Sequence, residues 1–467
     1  MNYFIAKEYG EDYYQHIDDF VSLGRNPKTI KDVIIAKFQQ IIYSINQPAA
    51  ARGSQSVFWN DAYFDEPYFK SLFDGFYFPD GTEMVSLWPS LKWLQAFFMH
   101  WFNDERRKDI ITFPVESFSL LNDGKDFVDK DSAELVAEMY AKGHSFFTYT
   151  SDSVDSLSSC CRLRNEVSEN TFSYSLGAGG IATGSKCVMT LNMNRFVQDC
   201  VKNGDNITEA VYRQAKKMHK YLNAFNEILK DLFAQHMLPV YEAGYISLEK
   251  QYLTIGINGV NEAAEFMGIK VCDSEEYTKF LESILEPIYR ADKEDKTDEL
   301  MFNMEFVPAE NLGIKNAAWD KKDGYVVPRD CYNSYFYLPD DPKTDLMEKF
   351  RLHGRKNTKY CDGGSALHGN LDEHLSEEQY KFLMKYAVKQ GVPYFTFNVP
   401  NTICNSCGYI SKHNLDRCPK CGSDNLDYAT RIIGYLTRVS KWSAGRQAEG
   451  KRRFYATEIG EEHDKIQ

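Results

Sequence analysis

Between residues 30 and 45, apolar side chains fall at Ile30, Val33, Ile34, Phe38, Ile41 and Ile45, the spacing of one face of an α-helix. Asn46 and Pro48 close that pattern, and the helix is expected to stop before them. A longer run of the same period covers 208–236. There Val211, Ala215, Met218, Leu222, Phe225, Leu229 and Leu232 make a seam that needs a second helix, from the same domain or from another subunit. Elsewhere the apolar residues form short continuous stretches. Residues 112–116 and 145–150 read as buried strands of a parallel sheet with helical sequence between them at 131–142, and 187–192 and 392–398 read as further strands. Strand and helix alternate, which predicts an α/β fold. The aromatic run over 64–102, with Trp88, Trp93, Phe97, Phe98 and Trp101, is predicted to be core.

The polar stretches between these elements hold the candidate binding groups. Segment 49–56 follows the first helix and precedes a strand start at Val57, a position where α/β enzymes carry ligand contacts. Arg52, Gln55 and Ser56 are therefore candidates to hold a polar ligand, the alternative being a solvated loop. Gly177, Gly179 and Ala182 satisfy the Gly-x-Gly-x-x-Ala fingerprint, but 187–192 reads as a strand where that motif demands a helix, which excludes a dinucleotide fold. What remains is a loop rich in backbone N–H groups, in which Gly179, Gly180 and Ser185 either approach a phosphate or allow close packing. Residues 292–299 are nearly all charged and are expected to form a solvated surface loop. Glu305 and Glu310 flank an apolar segment, as buried functional carboxylates or as a surface strand end. The basic tail from Lys441 to Arg453 is expected to help a partner dock.

Composition narrows the choice. The 467 residues, 43% of them hydrophobic, suffice for a large core. A net charge of −13 excludes general affinity for nucleic acid or anionic membranes. The chain has no run of 18 apolar residues and no signal-like basic N-terminus, so a cytoplasmic protein with reduced cysteines is expected.

Cys404, Cys407 and Gly408 repeat as Cys418, Cys421 and Gly422. Two Cys-x-x-Cys-Gly knuckles at this separation predict a tetrahedral four-cysteine zinc ribbon. Arg431-Ile-Ile-Gly434-Tyr435 follows closely. A carbon radical on a glycine Cα is delocalised between the flanking amide nitrogen and carbonyl, and that planar centre would be crowded by a side chain. A thiyl radical is the matching working group, because an S–H bond is close in strength to the C–H bonds it must break. Cys160 and Cys161, ahead of Arg162, supply the sulfur.

Taken together, these residues resemble the anaerobic (class III) ribonucleotide reductases, and the runs 46–60, 170–180 and 305–310 fit the same pattern. The resemblance implies the ten-stranded α/β barrel of glycyl radical enzymes over residues 1–398, incomplete at its N-terminus. A zinc ribbon at 399–428 and a radical loop with tail at 429–467 follow. It implies reduction of ribonucleotides to 2′-deoxyribonucleotides for DNA precursor synthesis, with Gly434 storing the radical. The family's radical cysteine precedes an arginine, which selects Cys161 ahead of Cys160. An iron–sulfur activase using S-adenosylmethionine installs the radical, zinc is structural, and the enzyme is a homodimer. Oxygen is expected to cut the chain at the radical. In one departure, family members begin with a nucleotide-binding cone and an early barrel segment carrying a His-x-His-Asp motif. Neither is visible before Asn46, so that segment comes from another chain or is absent. Two other readings share the motifs: a glycyl radical lyase, and a zinc-binding subunit without catalysis.

Overall fold

The computed structural model describes residues 1–459 except 23–24, 51–52, 54–55, 155, 159–163, 167–183, 245, 307–310 and 432–433. A short antiparallel pair, β1 (Phe20–Ser22) and β2 (Lys28–Thr29), leads into the first helix. That helix runs Ile30–Asn46 and opens on a capping box in which Thr29 and Asp32 exchange hydrogen bonds.

Three parallel strands follow: β3 (Asn60–Phe64), β4 (Val115–Leu121) and β5 (Phe147–Ser151). β4 begins at Val115 rather than Thr112, because Pro114 has no N–H to give to a ladder. An antiparallel ribbon, β6 (Ser156–Ser158) with β7 (Arg164–Glu166), grows from the end of β5 in the serine-rich stretch. β8 (Gly184–Asn192), β9 (Gln251–Asn258) and β10 (Met301–Glu305) form a second parallel sheet. β11 (Leu367–Asn370) and β12 (Tyr394–Asn398) are parallel to each other, and β12 runs antiparallel to β5. The result is a five-stranded sheet of order β11-β12-β5-β4-β3. The three-stranded sheet meets it at a parallel bridge between Glu305 and Gly364, just ahead of β11. Last come β13 (Asn401–Cys404), β14 (Ile410–Ser411), β15 (Leu426–Arg431) and β16 (Leu436–Arg438), one antiparallel sheet of order β14-β13-β15-β16.

Side chains alternate along these strands. On one face of the five-stranded sheet Phe118, Leu120, Phe395 and Phe397 pack under the helices Lys130–Ala141 and Glu377–Gln390. The other face carries Val115, Phe147, Tyr149 and Tyr394. In the three-stranded sheet Leu253, Ile255, Phe302 and Met304 face the helices Ile207–Ala234 and Glu275–Asp295. By the same alternation Ser185, Thr254, Asn303 and Glu305 share the opposite face.

The seam of the long helix is partly internal. Val211, Ala215, Met218 and Leu222 are buried, while Tyr221, Phe225 and Ile228 are exposed. One expectation is corrected. The charged run is no loop at its start, because Ile284, Ile288 and Ala291 carry the apolar period of the helix through to Asp295; Asp292 is fully buried, 2.8 Å from His219 Nε2. The basic tail is turned partly inward: on the helix Ala444–Arg452 Arg446 is buried, and Arg453 forks onto Glu449 at 2.7 and 2.8 Å. Among the described residues no helix is long and apolar enough to cross a membrane.

Candidate active site and metal centre

β13 ends on Cys404 and turns through Cys407; Cys418 and Cys421 repeat the arrangement ahead of β15. In each knuckle the glycine amide donates to the carbonyl of the first cysteine, Gly408 to Cys404 at 2.9 Å and Gly422 to Cys418 at 2.8 Å. Their φ angles of 73° and 72° lie in the left-handed region that favours glycine. All four Sγ atoms lie within 4.8 Å of one another, with Cys404 to Cys421 at 3.6 Å and Cys407 to Cys418 at 3.7 Å. Four sulfurs bound tetrahedrally at about 2.3 Å sit about 3.8 Å apart, so the set fits zinc. Burial opposes ionisation of Cys404, but hydrogen bonds from the amides of Cys407 and Ser406 and with the thiols of Cys421 and Cys407 together draw it down to about 6.

β15 leaves the ribbon and returns as β16, and Gly434 lies in the turn between them. A Cβ built on Gly434 meets no described atom within 4 Å, and its φ is outside the left-handed region. Among the described residues neither packing nor backbone conformation demands glycine at this position. Arg431 Nη1 donates to the Gly434 carbonyl at 2.8 Å. The Arg431 guanidinium is 2% exposed and lies 4.2 Å over the Phe147 ring, which stacks on Tyr394. Burial first, then the charge of Arg106, lowers its pKa to about 10. Arg453 Nη1 in turn donates to the Arg431 carbonyl at 2.8 Å, and Tyr435 packs against Phe58 and Phe113.

This hairpin enters where β5 begins and β12 finishes, since Ser145, Asn398, Thr430, Arg431 and Leu436 line one small cavity of about 20 Å³. The β6–β7 ribbon springs from the opposite end of β5, and Val154 at its root packs on the same aromatic cluster as Tyr435. The ribbon's tip, with Cys160 and Cys161, lies outside the described residues, as do Arg52, Gln55, Gly179, Gly180 and Glu310. Ser56 Oγ donates to the Asn46 carbonyl at 2.9 Å, tying its loop to the end of the first helix. Ser185 Oγ lies 2.8 Å from Thr254 Oγ1, which donates to Asn303 Oδ1 at 2.7 Å. That ladder crosses all three parallel strands toward Glu305, which is buried.

Thr254, Asn303 and Ser117 escaped the sequence reading. Thr254 and Asn303 each stand between apolar neighbours on the strand face away from the helices, and that is the signal by which they can be found, whereas Ser117 sits beside Glu116 and near Ser119 and carries no such signal. Ser117 Oγ and Asn303 Nδ2 are buried without a hydrogen-bond partner among the described residues. Ser365 Oγ is a third such atom, and Ser365 lines a cleft of about 520 Å³ with Cys361, Tyr149, Tyr394, Arg355 and Lys389, at the end from which the ribbon springs. Burial, with Asp362 beside it, holds the Cys361 thiol protonated.

The class this architecture defines is the α/β fold of the glycyl radical enzymes. A glycyl radical enzyme from Archaeoglobus fulgidus matches with a TM-score of 0.51 and 10% identity over 81% of this chain and 55% of that one, a likeness of fold alone. The model of the anaerobic ribonucleoside-triphosphate reductase family matches residues 1–455, and the chain belongs to that family. A solved anaerobic ribonucleotide reductase matches with a TM-score of 0.82 and 30% identity, covering 98% of this chain and 71% of that chain. The Thermotoga maritima anaerobic ribonucleotide reductase, in complex with dATP and CTP, matches with a TM-score of 0.79 and 31% identity over 97% of this chain and 72% of that one. No curated protein matches the sequence. The chain is an enzyme of ribonucleotide reduction.

Proposed function

We propose that Gly434 stores a carbon radical and that Cys161 uses it to reduce ribonucleoside triphosphates. The observation that carries this reading is Gly434 itself: a glycine that, among the described residues, neither sterics nor φ requires, with its carbonyl held by a buried arginine. On activation the Gly434 Cα hydrogen atom goes to a carbon radical that a separate iron–sulfur activase derives from S-adenosylmethionine. In turnover the glycyl radical takes the hydrogen atom of the Cys161 S–H, and the thiyl radical so formed takes the 3′ hydrogen of the ribose. The 2′ hydroxyl leaves as water on gaining a proton. An external reductant supplies two electrons and a second proton, and Cys161 returns the 3′ hydrogen.

The remaining assignments extend this reading, and the geometry of the described residues and the relatives support it. Cys404, Cys407, Cys418 and Cys421 hold a structural zinc that ties β13 to β15. Ser185 with its ladder and Ser56, together with Arg52, Gln55, Gly179 and Gly180 by the resemblance of their segments, are assigned to substrate binding. The Thermotoga maritima relative was solved with CTP and dATP, and with dATP in its specificity site, which favours a triphosphate substrate and a nucleotide effector. Strands β3–β5 and β8–β12 are eight of ten barrel strands, with the Gly434 hairpin and the β6–β7 ribbon as its two fingers. The exposed row Tyr221, Phe225 and Ile228 is offered to a second copy of the chain.

Anaerobic activation followed by electron paramagnetic resonance and a CTP-reduction assay tests the reading. The parent is expected to show a glycyl doublet and turnover, Cys161→Ala the doublet alone, and Gly434→Ala neither. Cys160→Ala is expected to be milder than Cys161→Ala. A Gly434→Ala variant that keeps both signals ends the proposal.

A further inference from the structure

We propose that Arg431 sets the stability of the Gly434 radical, as a positioning residue that donates a charged hydrogen bond to the carbonyl through which the radical is delocalised. The inference rests on assigning the radical to Gly434.

Arg431 poses a physical problem that the fold alone does not solve. Its guanidinium is almost fully buried, and among the described residues no carboxylate forms an ion pair with it. A buried charge of this kind is costly unless something specific holds it. Its contacts are the Phe147 ring, at 4.2 Å from the guanidinium carbon, and the Gly434 carbonyl oxygen, at 2.8 Å from Nη1. The backbone of Arg431 is fixed as well, because Arg453, forked onto Glu449, donates to its carbonyl. The cation is thus delivered to one oxygen atom by groups outside the turn.

That oxygen is the acceptor end of the glycyl system. When spin resides on Cα, the amide nitrogen donates electron density and the carbonyl accepts it. A cation at the carbonyl oxygen strengthens the acceptor and draws spin away from Cα. Removing it should return spin to Cα and widen the splitting from the remaining α-hydrogen. A merely structural Arg431 would leave that splitting where it was.

The test uses the activated full-length chain. In protein grown with ¹⁵N-arginine and exchanged into D₂O, electron–nuclear double resonance of the glycyl radical is expected to show a ¹⁵N coupling and an exchangeable deuteron coupling from one guanidinium. Arg431→Met is expected to lose both, widen the α-hydrogen splitting and shorten the anaerobic radical lifetime about tenfold, equivalent to roughly 1.4 kcal/mol. Arg431→Lys is expected to recover part of the lifetime. If Arg431→Met accepts no radical, Phe147→Leu decides: it leaves the motif intact but removes the ring under the cation, and its splitting is expected to widen. A parent glycyl signal without arginine coupling, or unchanged splittings in these variants, overturns the inference alone. A parent with no glycyl signal overturns the functional reading beneath it.

Discussion

Two glycines show how differently one residue type is constrained. A Cβ on Gly434 meets no described atom within 4 Å, whereas a Cβ on Gly363 would sit 2.6 Å from the Met304 carbonyl oxygen. Gly434→Ala is therefore expected to fold and melt within a few degrees of the parent while losing all activity, whereas Gly363→Ala is expected to lose on the order of 1–3 kcal/mol of stability. Calorimetry on both variants checks this, and a Gly434→Ala protein that fails to fold would contradict it. Glu262 offers a pH test. Burial lifts its carboxyl to about 8, Asn333 Nδ2 donates to one oxygen at 3.2 Å, and the other oxygen has no hydrogen-bond partner among the described residues. A carboxyl whose pKa is higher folded than unfolded stabilises the fold fully below the unfolded value of 4.5, and that stability is lost as the pH rises toward 8. Urea unfolding of Glu262→Gln from pH 5 to 9 is expected to show a flatter decline, differing from the parent by a few kcal/mol at the alkaline end, about what a shift of several units implies. Parallel pH profiles would remove Glu262 as the cause.

At the scale of elements, the ribbon and the radical hairpin are one sheet, because β15 pairs with β13 on one side and β16 on the other. Cys418→Ser is expected to release about one zinc per chain and to lower the glycyl radical yield, since structural zinc supplies folding energy to the strands it joins. Metal analysis beside spin counting measures both, and full metal content in that variant would refute the ligand set. Much at this scale was legible in the sequence. The knuckles announce themselves by spacing, and the helices Ile30–Asn46 and Ile207–Ala234 by period. Asp292 was misread because a run of charges looks solvated until the apolar residues one turn before it are given equal weight. Arg431 was legible as a motif residue, but its carbonyl contact was not, because a hydrogen bond across a turn leaves no periodic trace. The Ser185–Thr254–Asn303 ladder was hidden for another reason: its members lie far apart in the chain and meet only through strand register.

On the scale of the whole molecule, the strand order depends on pairings such as Phe395 with Thr148, which no local pattern reveals. β3 and β8 each have a single neighbour among the described residues. Such edges leave a row of unpaired backbone groups, and a thiyl radical works only where water and oxygen are kept out. Turnover is therefore expected to depend on these edges being covered. The check is anaerobic ribonucleotide reduction by the chain with and without a polypeptide carrying the early barrel segment. Full turnover by the chain alone would show that its edges are covered from within.

The anchoring of the C-terminal segment bears on how damage in this enzyme is detected. Past Gly434 the chain is held by β16 on β15, by Arg453 on the Arg431 carbonyl, and by the Ala456 amide, which donates to the Asn370 carbonyl at 2.9 Å. If Gly434 carries the radical, a molecule severed there by oxygen is expected to keep its two pieces clasped together. It is expected to elute from a sizing column beside intact enzyme and to give the same circular dichroism, so a preparation can lose its chemistry while its size and secondary structure look unchanged. Only unfolding it first, on a denaturing gel or in a mass spectrometer, separates the spent molecules from the sound ones.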